Sequence, residues 1–286
     1  MPDAVAALRR RLVAEVATYE SAAVALSGGV DSAVVAAAAF DALGSRAIAI
    51  TAQSPSVAMR ERDDAAATAA RIGIRHIILA TDEFAVADYR ANAGDRCLHC
   101  KRTLYAEMAA WTETNGFAAL VSGTNADDLG DYRPGLRAAG EFAVRSPLAD
   151  LGIGKADVRR LAAAWDLPLA EKPASPCLSS RLAVGVEATV ERVARIEAAE
   201  SLVRTLIGDV PLRVRTEANE LARIEVPPEA IAAVVANRTR LATELRSLGF
   251  RAVTVDLEGF RSGSLNDLVP LTVRQANERP ADTAGR

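Results

Sequence analysis

From residue 1 to about 170 the chain alternates short apolar or β-branched runs with longer alanine-rich segments. The runs at 22–26, 47–52, 75–80 and 118–122 predict strands, and the segments at 3–19, 30–43, 56–72, 101–115 and 155–165 predict helices. Strands that alternate with helices of this length predict an α/β fold, a parallel sheet covered by helices on both faces. Two intervals, 84–96 and 171–187, break the rhythm, and the second collects two prolines with small polar residues. It reads as a linker that also carries chemistry. Beyond it a helix at 189–207, strands at 211–216 and 221–226, a helical stretch at 228–248 and a strand at 252–257 predict a smaller α+β domain. The expected division is 1–170, a cysteine-bearing linker 171–187, a C-terminal domain 188–270 for substrate and oligomerisation, and a polar tail 271–286. In strand 211–216, Leu212 and Val214 alternate with Arg213 and Arg215, so one face is apolar and the other presents two guanidinium groups. Such a face is either solvated or suited to bidentate recognition of a phosphate.

Composition sharpens this. With 286 residues, 50% of them hydrophobic and 25% charged, the chain has mass for a sizeable core, which excludes a disordered or fibrous protein. The longest purely apolar stretch, 33–40, is far short of the roughly 20 residues of a membrane helix, and residues 1–11 carry no secretory leader pattern. A cytoplasmic protein without a membrane partner is expected. A net charge of -3 and a pI near 5.6 supply no general cationic field, which counts against a nucleic-acid partner and leaves small polyanions. Of the 34 basic residues only three are lysine, Lys101, Lys155 and Lys172, and there are only three cysteines, Cys97, Cys100 and Cys177. An odd, low cysteine count argues against a disulfide framework and leaves catalysis, metal binding or burial.

The string Leu26-Ser27-Gly28-Gly29-Val30-Asp31-Ser32 sets a glycine pair between an apolar strand and a helix. Glycines permit the tight turn, and the N–H groups and dipole at the helix start attract an anion. The plain alternative is a strand-to-helix turn capped by Ser and Asp. The Walker form is absent, so this is not a loop for γ-phosphoryl transfer. The full Ser-Gly-Gly-x-Asp-Ser string resembles the pyrophosphate loop (PP-loop) of the ATP pyrophosphatases, which include NAD synthetase and asparagine synthetase. That resemblance implies an adenine nucleotide alpha hydrolase-like, doubly wound parallel sheet, cleavage of ATP between its α and β phosphates, and ATP contacts from Ser27, Gly28, Gly29, Asp31 and Ser32. A second string, Ser122-Gly123-Thr124-Asn125-Ala126-Asp127-Asp128, also follows an apolar strand. Gly123, Thr124 and Asn125 are expected beside ATP, and Asp127 and Asp128 suit Mg²⁺ bound through carboxylates and phosphate oxygens. Its alternative, shared by Asp131, is a capped, solvated turn. The end of the second strand, through Ser54, is where an adenosine would lie.

Cys97-Leu98-His99-Cys100 fits a zinc half-site, a redox pair or part of an iron–sulfur ligand set, and no second pair completes a zinc tetrad. His76, at a strand start, is expected to be structural. Cys177 lies in Pro176-Cys177-Leu178-Ser179-Ser180-Arg181, where nearby cations favour a thiolate. Together with Leu212-Arg213-Val214-Arg215, Ala222-Arg223-Ile224-Glu225-Val226 and Asp256-Leu257-Glu258-Gly259-Phe260-Arg261-Ser262-Gly263-Ser264, these strings resemble the LarE family over nearly the whole chain. The Pro-Cys-Leu-x-Ser-Arg piece is the most specific.

The resemblance implies a sulfurtransferase of nickel-pincer cofactor biosynthesis. ATP adenylates a carboxylate of a pyridinium dicarboxylate mononucleotide, and sulfur displaces AMP to leave a thiocarboxylate. It further implies roles for Cys177, Ser180, Arg181 and Glu200 in catalysis and for Arg213 and Arg215 on the substrate phosphate. Family members with one cysteine sacrifice its sulfur, whereas those with three hold a 4Fe-4S cluster. The presence of Cys97, Cys100 and Cys177 favours the cluster. Trimer-based hexamers are also implied. Lys101 follows Cys100 and Lys172 lies five residues before Cys177, which places two ammonium groups where phosphate or sulfide is handled, Lys101 being assigned to ATP. Three other readings compete: an amide synthetase of the NAD synthetase type, which needs no cysteine segments; a tRNA-thiolating enzyme; and a nucleotide sensor without turnover.

Overall fold

A computed structural model describes residues 2–130, 135–170 and 176–261. Asp131, Lys172, Ser262, Gly263, Ser264 and the tail 271–286 lie outside the described residues. The chain divides into two compact units, Met1–Glu83 with Cys97–Ser175, and Phe84–Arg96 with Pro176–Arg286. The first segment carries α1 (Pro2–Ala17), β1 (Ala22–Ala25), α2 (Val30–Leu43), β2 (Ala47–Gln53), α3 (Met59–Ile72) and β3 (Arg75–Ala80). A short insert then contributes α4 (Ala87–Ala91) to the second unit. The first unit resumes with α5 (Arg96–Asn115), β4 (Ala119–Val121), α6 (Gly135–Glu141), α7 (Pro147–Asp150) and α8 (Lys155–Ala164). The second unit continues with α9 (Val190–Ile207), β5 (Arg213–Glu217), β6 (Leu221–Glu225), α10 (Ile231–Ala236), α11 (Arg238–Ser247) and β7 (Ala252–Val255).

In the first unit four parallel strands run in the order β3-β2-β1-β4, with Val24 opposite Ala49 on one side and Val121 on the other. Strand alternation sorts side chains by face. Ala22, Val24, Ala47 and Ala49 meet the cluster formed with α1, α2 and α8, while Ala23, Ile48, Ile50 and Leu120 meet Tyr105 and Met108 of α5. The small residues on the first face let α2 approach closely, and α2 is itself apolar nearly all round because α1 and α8 cover its outer side. Burial of Ile48 and Ile50 on the opposite face contributes about 1.5–3 kcal/mol each. Strand order reverses between β1 and β4, so the crevice at their carboxyl ends is the switch point at which ligands of such sheets bind.

Several boundaries differ from the sequence pattern for local reasons. Helix α3 starts at Met59 instead of 56 because the hydroxyls of Ser54 and Ser56 both donate to the buried Glu83 carboxylate, which holds that stretch outside the helix. Helix α5 starts at Arg96 instead of 101, since Leu98 joins Tyr105 and Met108 on one buried stripe. The Cys-x-x-Cys pair therefore sits on its first turn. The helical stretch 228–248 is divided at Asn237, whose Nδ2 donates to the Ala233 carbonyl at 2.9 Å and ends α10.

In the second unit β5 and β6 pair antiparallel and β7 adds in parallel. Leu212, Val214, Ala222 and Ile224 pack with Ala199 and Val203 of α9 and Leu241 and Leu245 of α11. Thr189 caps α9, its hydroxyl accepting from Arg192 N at 3.2 Å. The insert 84–96, one of the two intervals that break the alternation, is hydrogen-bonded to the segment after Cys177: Gly185 N donates to Asn92 O at 2.9 Å and Ala188 N to Arg90 O at 2.8 Å.

Candidate functional site

The two glycine-containing strings of the first unit converge. Gly28 has φ +79°, and a Cβ there would lie 2.7 Å from the Glu61 carbonyl oxygen, so both conformation and space demand glycine. Its neighbour Gly29 has φ -93° and brings no side-chain cap to α2, whose first-turn N–H groups have no acceptors within the helix, the feature that suits a helix start to an anion. From the other string, a Cβ at Gly123 would meet Ser32 N at 2.6 Å and Ser32 Cα at 2.8 Å. The backbone after β4 thus lies directly against the start of α2. Ser27 N donates to Ser32 Oγ at 3.2 Å and Ser32 Oγ donates to the Gly29 carbonyl at 2.9 Å, which closes the loop.

Asp31 is held from two directions. Asn125 Nδ2 donates to its Oδ1 at 3.1 Å, and Lys155 Nζ pairs with its Oδ2. Asn125 also accepts from Asp127 N at 2.9 Å while Asn125 N donates to Asp128 Oδ2 at 3.1 Å, a reciprocal cap of the turn that follows β4. Asp127 Oδ2 accepts from Lys155 N at 2.7 Å, and a Cβ on Gly154 would come within 2.9 Å of Asp127 Oδ1. Asp127 and Asp128 therefore act as caps, and Asn125 and Lys155 tie their turn to Asp31. Among the described residues no three His, Cys, Asp or Glu side chains form a metal-holding group.

Other expected residues take definite places. Ser54 donates to Glu83 Oε1, Ser56 Oγ does so at 2.6 Å and Thr81 Oγ1 reaches Oε2 at 3.2 Å, so three hydroxyls solvate one buried carboxylate at the carboxyl ends of β2 and β3. His76 is structural. Its Nε2 lies 2.8 Å from Thr51 Oγ1, which itself donates to the Leu26 carbonyl, so Nε2 is the donor, and burial lowers the pKa of the ring. Lys101 stands on α5 with Nζ 5.5 Å from the Tyr105 ring. Cys97 is exposed and Cys100 partly so, one helical turn apart.

In the second unit Cys177 is partly exposed and opens the 3-10 turn Leu178–Arg181. Arg181, 3% exposed, donates through Nη1 to the carbonyls of Pro176 and Cys177, the latter at 2.9 Å, and to Ser180 Oγ at 3.2 Å. Its Nε donates to Glu200 Oε1 at 3.0 Å. Glu200 is not an exposed helix residue: it is 4% exposed and also accepts from Val214 N at 3.3 Å. Arg215 Nη1 donates to Ser180 O at 3.0 Å, while its Nε and Nη2 form a fork on Glu225 at 2.9 and 2.8 Å. Neither Arg213 nor Arg215 lies on a solvated face, since both are buried. Arg213 sits 5.1 Å from the Phe260 ring, and burial, with the charge of Arg181, pushes its pKa down to about 10. A cation so placed gains from an incoming anion.

Comparison with known proteins gives the family. Residues 5–112 match the asparagine synthase family model. The chain is 47% identical to an uncharacterized protein of Synechocystis sp. over 86% of its length and 92% of the relative's. It is 37% identical to the pyridinium-3,5-bisthiocarboxylic acid mononucleotide synthase of Lactiplantibacillus plantarum, over 90% of the chain and 92% of that protein. The chain belongs to this synthase family. A more distant likeness, 32% over 53% of the chain and 49% of the relative, links it to the tRNA-specific 2-thiouridylase MnmA of Xanthobacter autotrophicus.

For this synthase-family member, sequence reasoning missed Lys155. Its signal was present, because Lys155 was the one lysine left without a role, but it lies 124 residues from Asp31 and only the fold brings them together. Glu83, Tyr89 and Asn92 were missed as well, since a lone acid and two residues in an irregular interval carry no motif. No helix among the described residues is long and apolar enough to cross a membrane.

Proposed function

We propose that the chain is an ATP-dependent sulfurtransferase that makes pyridinium-3,5-bisthiocarboxylic acid mononucleotide, the product named for its L. plantarum relative. A substrate carboxylate oxygen attacks the α-phosphorus of ATP, forming an acyl adenylate and releasing pyrophosphate. A sulfur nucleophile then attacks the acyl carbon and expels AMP. Pyrophosphate would rest on the first-turn N–H groups of α2, with Ser27, Ser32 and Lys155 supplying further donors. Mg²⁺, held through Asp127 and Asp128 and phosphate oxygens, would offset charge on the leaving group. Arg213, buried beside Phe260, would take the mononucleotide phosphate. Arg215, engaged with Glu225 and Ser180, would align it.

The observation that carries this reading is the Cys177 segment. Arg181 gathers the carbonyls of residues 176 and 177 and is braced by buried Glu200, so the backbone is fixed while the thiol stays partly open. We take Cys97, Cys100 and Cys177 as ligands of a 4Fe-4S cluster, which when bound supplies sulfide at an iron with no protein ligand. The thiol donor set fits, although Cys97 and Cys100 belong to one unit and Cys177 to the other, so neither unit assembles three ligands by itself. In a second reading Cys177, partly exposed on its fixed backbone, gives up its own sulfur and becomes dehydroalanine. Anaerobic purification with iron and sulfide analysis, then intact mass after turnover, separates the two: iron with unchanged mass supports the cluster, and loss of H₂S from Cys177 without iron supports sacrifice. Pyrophosphate release stimulated by ammonia or tRNA, and not by the pyridinium mononucleotide, would overturn both. A homo-oligomer and a cytoplasmic location complete the proposal.

A further inference from the structure

Asn92 lies in the interval that breaks the sequence pattern, yet it is among the most constrained residues of the second unit. It ends α4 with φ +50°, the left-handed cap conformation that asparagine adopts more readily than most residues other than glycine, and it is only 2% exposed. Every polar group of its side chain is used. Nδ2 donates to the carbonyls of Ala183 at 2.8 Å and Val186 at 2.9 Å, and Oδ1 accepts from Arg96 Nη1 at 2.5 Å. Its backbone carbonyl accepts from Gly185 N at 2.9 Å. Three residues earlier, Tyr89 Oη lies 2.8 Å from Ser179 Oγ, with both residues buried. The insert 84–96 therefore grips the chain just after Cys177 at residues 179, 183, 185 and 186, and within that chain Arg181 holds the carbonyls of residues 176 and 177.

We propose that Asn92, assisted by Tyr89, is a positioning residue that fixes the backbone of the Cys177 segment, and so sets where the Cys177 sulfur stands during sulfur transfer. The inference rests on the role assigned to Cys177. The helix cap accounts for the left-handed backbone of Asn92, but not for an amide whose two donors both meet carbonyls of one short loop. A carboxylate in that place would turn an acceptor toward those carbonyls. Glycine would relieve the backbone and lose the grip.

The test uses the full chain with Asn92→Ala, Asn92→Gly and Tyr89→Phe. Two rates are measured: alkylation of Cys177 as a function of pH, located by peptide mass, and thiocarboxylate formation from the pyridinium mononucleotide. Asn92→Ala and Asn92→Gly are both expected to change the Cys177 alkylation rate and to lower kcat for thiocarboxylate by about tenfold to a hundredfold, as a misplacement near 1 Å does. KM for ATP should stay within about twofold, because ATP is assigned to the other unit. Failure of glycine to rescue assigns the effect to the amide and not to the backbone angle; full rescue by glycine overturns the proposal. Tyr89→Phe keeps the ring packed on Phe84, 5.0 Å away, and removes only the hydroxyl. It should shift Cys177 alkylation in the same direction by a smaller factor, and it carries the test if the Asn92 variants do not fold. Wild-type alkylation and kcat in the folded variants would refute the role of Asn92. If instead Cys177→Ala still forms thiocarboxylate while the Asn92 variants alter Cys177 alkylation, the grip stands and the assignment of Cys177 falls.

Discussion

Gly123→Ala isolates the contact on which the nucleotide loop depends. The added methyl would sit 2.6 Å from Ser32 N, 2.8 Å from Ser32 Cα and 2.9 Å from the Asp31 carbonyl carbon, whereas an ordinary contact begins at 3.4 Å. All three neighbours are backbone, so no rotamer change relieves the overlap, and β4 and α2 must separate by roughly 0.8 Å to restore contact distance. Overpacking of this kind costs about 1–3 kcal/mol, which lowers the melting temperature by several degrees. The functional effect should be larger. The same displacement moves the first-turn N–H groups of α2 away from Asn125 and Lys155, and a shift near 1 Å in a positioned site costs about a hundredfold in rate. ATP-dependent pyrophosphate release, followed alongside a thermal melt, should fall by that order at a temperature where the variant is fully folded. Gly29→Ala is the steric control for stability, because its Cβ finds only Ser27 Oγ at 3.4 Å. A Gly123→Ala protein with wild-type melting and pyrophosphate release within about twofold of wild type would refute the packing argument.

Three further outcomes are expected. Lys155→Ala should raise KM for ATP with little change in melting temperature, because the partly exposed Lys155–Asp31 pair adds little stability. Lys155→Arg should recover binding only in part, and ATP kinetics unchanged in both variants would remove Lys155 from the site. Glu225→Gln leaves Arg215 and Arg223 facing a neutral amide in a fully buried place and should destabilise by about 3–5 kcal/mol, read by denaturant titration of the full chain. Burial pushes the Glu220 carboxyl up, but Arg192, bonded at 2.8 Å, and Arg195 outweigh it and hold its pKa below the usual carboxylate range. Asp256 is lowered likewise by Arg223 against the same burial penalty. Since both folded values lie below the unfolded ones, their stabilisation is complete above the unfolded carboxylate pKa and is lost as pH falls through the folded values. Thermal melts should therefore decline below about pH 4, more steeply in wild type than in Glu220→Gln; parallel declines would refute this.

Much of the fold was legible because its elements are set by local periodicity. The strand at 75–80 and the helix at 30–43 have the bounds the pattern predicts, since an apolar run between turn residues and an alanine-rich segment ending at Gly44 leave few other choices. Boundaries moved where a distant partner intervened: Glu83 holds Ser54 and Ser56 out of α3, and the packing of Leu98 extends α5 back over the cysteines. The insert 84–96 was legible only as an interruption. Its purpose comes from hydrogen bonds to residues about ninety positions later, which no local pattern encodes.

By itself, then, the sequence determined the parallel α/β architecture, and it marked out the two glycine strings and Cys177 with its Arg and Ser neighbours as candidates for chemistry. These follow from residue types at short spacing, where backbone geometry is decided locally. Only the tertiary structure decided which groups act on one another: Lys155 on Asp31, Glu225 in the fork of Arg215, buried Glu200 behind Arg181, and Asn92 against the Cys177 segment. Charge pairing and burial act through space, and a chain of this length has many arginines and carboxylates whose partners are chosen only when the sheets and helices bring them into contact.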